Sequence, residues 1–324
     1  MKVFILEYIC AGGEAETPSS LADEGAAMLR AALRDFSMVA EPFTIADQRF
    51  LPRLEGAGEV RTICKTPVDA YAEALEECEA ALIIAPESGG ALSRYTSMAE
   101  FRGVRNLGCR AEAMECAGNK LLFARRMDEL GIPHPRTFHA TCYFDSSALP
   151  MGRWVAKPVD GAGCVGTRIH EISSRAPMPG DGSMMAQEFV EGEPMSACVV
   201  AGDYGPVVIS VNRQFIRETN GALEYLGGAV TDLEPDYALK DIAMKLWNGI
   251  PGLAGFWGID YINTPDGPVV IEVNPRLTTS YCALGEATGV NPAEMILDAA
   301  EGLKIEPVTT RRTVGFDKRG NLKP

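Results

Sequence analysis

The sequence predicts a mixed α/β and α+β protein of two or three lobes, with a small parallel sheet first and antiparallel hairpins after it. Three observations carry this expectation. The chain has 324 residues, more than one ordinary domain requires. Residues 1–112 alternate strand and helix signals, the pattern of a parallel sheet covered by helices. Beyond them, short apolar runs come in pairs separated by turn-forming glycine, proline and aspartate, as hairpins do.

Composition narrows the function. A 46% hydrophobic share with 23% charged residues is ordinary for a folded globular chain. The net charge of −14 argues against nonspecific nucleic-acid binding and against docking on an anionic membrane, both of which need a basic surface. No apolar run is long enough to span a bilayer, and the opening MKVFILEYICAGG is too short for a processed leader, so it reads as a buried strand. The nine cysteines are scattered without a C-x-x-C pair, which predicts reduced thiols and a cytoplasmic location. The three histidines, His134, His139 and His170, lack metal-ligand spacing and are expected on the surface or in loops.

In chain order, residues 3–9 read as a buried strand, 20–36 as an amphipathic helix opened by Ser19 or Ser20, and 38–45 as extended. Residues 69–78 read as a helix and 80–85 as an apolar strand. Ligands of open parallel sheets sit beyond the carboxyl ends of strands, so the loops at 7–14 and 87–93 are candidate substrate loops, with plain connection as the alternative. Between residues 105 and 120 the character changes. The expected division is 1–112, 113–187 and 188–324. Asn119 caps a helix with an apolar stripe through Leu121, Leu122, Met127 and Leu130, ended by Gly131, Pro133 and Pro135. Lys120 then falls in the first helical turn, where free backbone amides welcome an anion, so it is either a phosphate ligand or a solvated surface residue.

Residues 153–172 contain Gly161, Gly163 and Gly166 in G-x-G-x-x-G spacing, with Glu188 about as far downstream as the ribose acid of a dinucleotide site. That reading fails on context. A dinucleotide site needs a helix after the glycines, whereas residues 167–172 alternate like a strand. Strand, glycine loop and strand describe a hairpin flap whose amides can fold over phosphates, with Lys157 at its base. After a loose stretch at 173–183, the run 184–193 is an apolar strand ending in an acidic, glycine-containing corner. Its backbone at 188–190 could read a purine edge, with Glu191 or Glu193 on the ribose.

The segments 255–263 and 269–276 form the hairpin with the most chemistry. A five-residue loop at 264–268, with Asn263 paired to Val269, sets Asp260 opposite Glu272, and the period of two adds Asn274 to the same face. Two facing carboxylates are destabilising without a cation, and hard oxygens with open positions suit magnesium. The alternative is an ordinary polar face of an antiparallel pair.

Lys120 with its helix, Lys157-Pro158 with the glycine flap, the EFVEGE corner, GID and EVNPR, in this order, resemble an ATP-grasp ligase over nearly the whole chain. The resemblance implies an ATP-grasp fold with an N-terminal Rossmann-like lobe, a small central ATP-lid subdomain and a C-terminal antiparallel-sheet subdomain. It implies that Lys120 and Lys157 bind the ATP phosphates, that residues 161–166 close over them, and that Glu188 and Val190 hold adenine. Asp260, Glu272 and Asn274 would ligate Mg2+, with Mn2+ as an alternative, and Arg276 would meet the transferred phosphoryl group. Arg213 is a second candidate for anion binding, or it pairs with a neighbouring acid. The sequence departs from the family twice. Pro194 stands where the ribose acid usually falls, leaving Glu193 or Glu191 to substitute, and Cys164 stands where many relatives have glycine.

The implied activity is ATP-dependent ligation of a carboxylate to an amine through an acyl phosphate, releasing ADP and phosphate. The opening FILEYICAGG, the SVNRQ segment and the compact size are similar to the tyramine-glutamate ligases of methanofuran-type cofactor synthesis and to ligases of pyrrolysine synthesis. The partners expected are a small carboxylate and a small amine, with no nucleic acid and no membrane. A homodimer is left open. The rival functions are a ligase for another amino acid and amine, a dinucleotide-dependent oxidoreductase, and a noncatalytic nucleotide-binding module.

Overall fold

Buried apolar strands and amphipathic helices alternate through the first third of the chain. β1 (Lys2–Glu7), α1 (Ser19–Phe36), β2 (Glu41–Ala46), β3 (Glu59–Thr62), α2 (Pro67–Glu76), β4 (Ala80–Ile84), α3 (Ala91–Phe101) and β5 (Arg105–Asn106) follow one another. This computed structural model describes residues 1–14, 16, 19–140, 151–161, 164–172 and 183–323, so Gly163 and most of the stretch 173–183 lie outside the described residues. The five strands form a parallel sheet in the order β3-β2-β1-β4-β5. β4 is buried along its whole length, as a strand covered on both faces must be. The chain reverses its direction of sheet growth between β1 and β4, which opens a crevice at their carboxyl ends.

Two helices lead into the second half. α4 (Ala111–Ala117) precedes α5 (Lys120–Leu130), where the Asn119 side chain accepts hydrogen bonds from the amides of Leu121 and Leu122. Gly131 closes that helix in the left-handed conformation. The expected stripe is corrected: α5 buries Phe123, Ala124 and Met127, while Leu122 is exposed and Leu121 and Leu130 are only half-buried. The helix packs against its neighbours along that face, and apolar spacing alone did not select it.

The remaining elements are β6 (Thr137–Ala140), β7 (Gly152–Pro158), β8 (Arg168–Ile172), β9 (Met184–Glu188), β10 (Glu193–Gly202), β11 (Gly205–Thr219), β12 (Ala222–Val230), α6 (Tyr237–Gly249), β13 (Gly255–Thr264), β14 (Gly267–Asn274), α7 (Tyr281–Thr288), α8 (Pro292–Ala300), β15 (Val314–Asp317) and β16 (Leu322–Lys323). Their strands form one sheet in the order β14-β13-β10-β11-β12-β8-β7-β9-β6, with β15 on β12 and β16 on β15. Its two parts meet at a single paired position, Ala222 with Arg168. The smaller part has its own core of Trp154, Ala156 and Ala186, separate from the main core. Asn220 and Gly221, both with positive φ, turn β11 into β12, as an Asn-Gly hairpin requires.

β7 and β8 are antiparallel neighbours joined through the glycine segment, so a strand and not a helix follows Gly166. That excludes the dinucleotide geometry. The hairpin of β13 and β14 corrects the turn expected for it. Thr264 pairs with Gly267 and Asn263 with Pro268, leaving a two-residue turn, and Asp260 nonetheless pairs with Glu272. A bulge between Asp260 and Tyr261 absorbs Ile271 and restores the pairing. The three histidines lie apart in the loop before β6, in β6 and in β8, and no cluster of three or more His, Cys, Asp or Glu side chains suited to a metal occurs among the described residues. No helix among them is long and apolar enough to cross a membrane.

Candidate active site

A cavity of about 300 Å3 lies between the β7–β8 flap and the sheet carrying β10, β11, β13 and β14. Its apolar walls include Val155 and Ile169 from the flap and Ile262 and Ile271 from the opposite strands. Such a slot accepts a flat aromatic ring. At one edge the backbone passes from β9 through Phe189 and Val190, and the Val190 amide has no hydrogen-bond partner among the described residues. The Glu188 carboxylate faces away, held by Arg136 through two hydrogen bonds of 2.8 and 2.7 Å, so Glu188 offers the cavity its backbone and not its charge.

The charged end is built by α5, β7, β13 and β14. Lys120 Nζ lies 2.9 Å from Glu272 Oε2 and donates to the Gly161 carbonyl at 2.8 Å, tying the acid to the flap. Burial disfavours the Lys120 ammonium, but Glu272 beside it outweighs that and leaves its pKa raised. Lys157 is 6% exposed and has no ion pair among the described residues. Burial brings it down to about 8, against the attraction of Glu272. A buried, unpaired ammonium that lines a cavity is suited to an anion.

Asp260 and Glu272 face each other from adjacent strands. Burial and the Glu272 charge raise Asp260, whereas Lys120 and Lys157 overcome the burial of Glu272 and hold it well below the carboxylate range. Asp260 Oδ1 accepts from Gln214 Nε2 at 2.9 Å and Oδ2 from Asn274 Nδ2 at 3.2 Å. Two half-buried carboxylates facing each other, only one of them paired with a lysine, are the observation that fits a divalent cation here. Asn274 joins as a ligand once its amide turns its oxygen inward.

A second cavity, about 340 Å3, occupies the crevice beyond β1 and β4 and shares Pro158, Gly161 and Val165 with the first. Both loops singled out as substrate loops contribute to it, through Ile9, Glu14 and Ser88. Arg276 lines this cavity and is held by Glu87 through Nε to Oε1 at 3.0 Å and Nη2 to Oε2 at 3.2 Å, with its Nη1 donating to the Leu277 carbonyl at 3.1 Å.

The structure therefore gathers Lys120, Lys157, Gly161, Val190, Asp260 and Glu272 around one space, with Asn274 bonded to Asp260 and Arg276 in the adjoining cavity. Three expected residues, Glu193, Arg213 and Gly166, line neither cavity. Glu193 pairs with Arg213 at 2.8 Å, both half-exposed, and neither lines the cavity, because Pro194 takes the inward position at the start of β10 and Gln214 takes it on β11. Glu191 is likewise held by Arg153 at 3.0 Å. Glu218 does line the cavity, with Glu188, Asp260 and Glu272, and it too is held by Arg153, at 2.9 Å. Gly166 has φ of 74° and Cys164 has φ of 62°, so the flap turns at a cysteine in a conformation that favours glycine. Sequence reasoning did not single out Gln214 and Glu218, which alternate with Ile216 along β11 in a period-two pattern. Glu87 opens one of the loops expected to meet substrate, but its pairing with Arg276 is long-range and has no local signal.

An ATP-grasp domain profile matches residues 117–280 and a pre-ATP-grasp domain profile matches residues 40–114. Tyramine–L-glutamate ligases of Methanocaldococcus jannaschii and Methanocaldococcus fervens are 30% and 32% identical over 71% of this chain in each case, and the matches span 66% and 69% of those relatives. The crystal structure of an ATP-grasp superfamily protein from Archaeoglobus fulgidus superposes with a TM-score of 0.73 at 26% identity, covering 98% of this chain and 92% of that one. The chain belongs to the ATP-grasp family. The carboxylate–amine ligases of that family, the branch of these relatives, are ADP-forming carbon–nitrogen ligases that use ATP with Mg2+ or Mn2+.

Proposed function

We propose that this chain is an ATP-dependent carboxylate–amine ligase joining L-glutamate to tyramine, with γ-glutamyl-tyramine, ADP and phosphate as products. The observation that carries the ligase reading is the junction of two cavities at the flap, one with an unpaired buried lysine and facing carboxylates, the other with a buried arginine. The choice of glutamate and tyramine rests on the two ligases reported above. We assign residues 1–112 to the Rossmann-like lobe, 113–187 to the ATP-lid subdomain and 188–324 to the subdomain carrying the metal ligands.

A carboxylate is a poor electrophile at neutral pH. One of its oxygens attacks the γ-phosphorus of ATP in line, forming an acyl phosphate and releasing ADP. The amine nitrogen then attacks the acyl carbon; the carbon–nitrogen bond forms, the carbon–oxygen bond to phosphate breaks, and phosphate leaves. Lys157 and Lys120 neutralise the triphosphate, with Lys120 exchanging its contact with Glu272 for phosphate oxygens. Backbone amides of residues 161–166 close over the phosphates, and the backbone at Glu188 and Val190 reads adenine. A divalent cation held by Asp260, Glu272 and Asn274 supplies charge neutralisation at the phosphates. Arg276, freed from Glu87, takes the planar carboxylate or the transferred phosphoryl group. Arg213 and Glu193, paired with each other on the outer face, have no assigned step.

The test is ADP release with Mg2+, measured with each substrate alone and both together. Sustained release that needs both L-glutamate and tyramine supports the reading. Equal release without the amine assigns the chain to kinase or ATPase chemistry instead, and turnover only with another pair keeps the ligase and replaces the substrates.

A further inference from the structure

The cavity beyond β1 and β4 has a charge balance that the ligase reaction alone does not require. Glu7, at the end of β1, is 2% exposed and lines it; its Oε2 accepts the Cys10 amide at 2.7 Å. Glu24, on α1, lines the same space and accepts a hydrogen bond from the Thr279 hydroxyl. Neither carboxylate has an ion pair among the described residues. Arg276 is the cation on the wall, and Glu87 already neutralises it.

The fold goes out of its way to put Glu7 there. A Cβ at Gly25 would come within 2.6 Å of the Glu7 carboxyl carbon, so α1 can pass the acid only with glycine at that point. Glu7 is buried and Glu24 half-buried; burial raises the pKa of both carboxyls against the pull of Arg276, and a cation between them offsets that cost. The rest of the lining includes Leu21 and Met28, which are apolar.

We propose that this cavity is the acceptor subsite and that Glu7 and Glu24 hold the ammonium of a primary amine with an apolar body and no carboxylate of its own. The inference rests on the ligase reading and deepens it. An amino-acid acceptor would bring a carboxylate among Glu7, Glu14, Glu24 and Asp160, where the only guanidinium in the lining among the described residues is committed to Glu87 or, once freed, to the other substrate. A monocationic amine meets no such repulsion. The shared residues Gly161 and Val165 put the subsite next to the phosphate end of the nucleotide cavity, where the acyl phosphate is attacked.

Tyramine and L-tyrosine differ only in the carboxylate, so the ratio of their kcat/KM values reads the subsite directly and does not depend on the fraction of folded enzyme. With ATP, Mg2+ and L-glutamate, wild-type protein is expected to favour tyramine by about 100-fold or more, the range expected when an extra charge is left unpaired in a desolvated site. Glu24→Gln and Glu7→Gln are each expected to lower that ratio by about tenfold, the worth of a hydrogen bond to a charged group, chiefly through the KM for tyramine. A parallel reaction of wild-type protein uses hydroxylamine, uncharged at neutral pH, to trap the acyl phosphate as hydroxamate. Hydroxamate with comparable use of tyramine and tyrosine, with no product from tyramine, phenethylamine or putrescine, or with a ratio unmoved in both variants overturns the inference and leaves the ligase reading standing. No hydroxamate and no amide overturns both.

Discussion

Lys157 shows how a binding residue weakens the protein that carries it. Its ammonium titrates near 8 in the fold, against an ordinary 10.5. Between those values the unfolded chain holds more protons than the folded one, so stability contributed at this position rises from pH 8 to 10.5, and below pH 8 the penalty is present in full. Lys157→Met is therefore expected to raise the unfolding free energy at pH 7 by on the order of 1 to 3 kcal/mol, with a smaller gain at pH 10, in urea titrations at both values. Nucleotide affinity should fall in the same variant. Glu272→Ala is expected to lower turnover by at least about 10²-fold while the circular-dichroism spectrum stays that of wild type, because Lys120 retains Asp260 as a nearby acid. Turnover within a few-fold of wild type would remove Glu272 from the metal set. The pairing of Asp260 with Glu272 was legible in the sequence, although by way of two compensating departures: the turn is shorter than expected, and a bulge takes up the difference. That Arg213 pairs with a neighbouring acid was one of the two readings open to it, and the structure has that pairing; that the acid is Glu193 was not legible, since it depends on which strands flank β10 and β11.

At the scale of elements, strong local signals were sufficient and weak ones were not. The Asn119 cap, the Gly131 stop and the strand after the flap glycines follow from backbone chemistry, and the structure has all three. The buried face of α5 depends on long-range packing, so its apolar spacing misled. Among the described residues, the small sheet part that carries the flap hairpin has a core of three buried apolar side chains, Trp154 and Ala156 on β7 and Ala186 on β9, and β8 meets the larger part around one paired position, Arg168 with Ala222. Segments with so few buried contacts open at low free energy. Hydrogen exchange is therefore expected to be faster in residues 152–172 than in β10 and β13, and a magnesium complex of a nonhydrolysable ATP analogue should slow it there. Exchange in the flap that the nucleotide leaves unchanged would separate the hairpin from the phosphates.

For the molecule as a whole, the parallel sheet and the larger sheet share one apolar core, and the ion pair of Glu87 and Arg276, both side chains largely buried, adds a charged contact across it. It crosses 189 residues of sequence, which is why nothing local announced it. Removing Glu87 alone leaves a guanidinium buried without its partner. Glu87→Ala should cost about 3 to 5 kcal/mol in chemical denaturation, and adding Arg276→Ala should recover part of the loss, as expected when a stranded charge is the larger penalty. A double variant less stable than the single would show that the Arg276 side chain contributes through packing and not through its charge. The parallel lobe and its crevice were legible from the alternation of elements, since the position of ligand crevices follows from sheet topology.

The bulge at Ile271 has one more consequence. In a regular strand, neighbours point to opposite sides, yet Ile271 and Glu272 are consecutive and both border the nucleotide cavity. On the ligase reading, a single surplus residue would let one strand serve two chemistries side by side, an oily floor for a base and an acid for a cation. Shorten the strand by that residue and the ladder becomes regular with Asp260 still opposite its acid, but the base loses its floor; the affinity for the ring and the affinity for the ion become separable by one deletion.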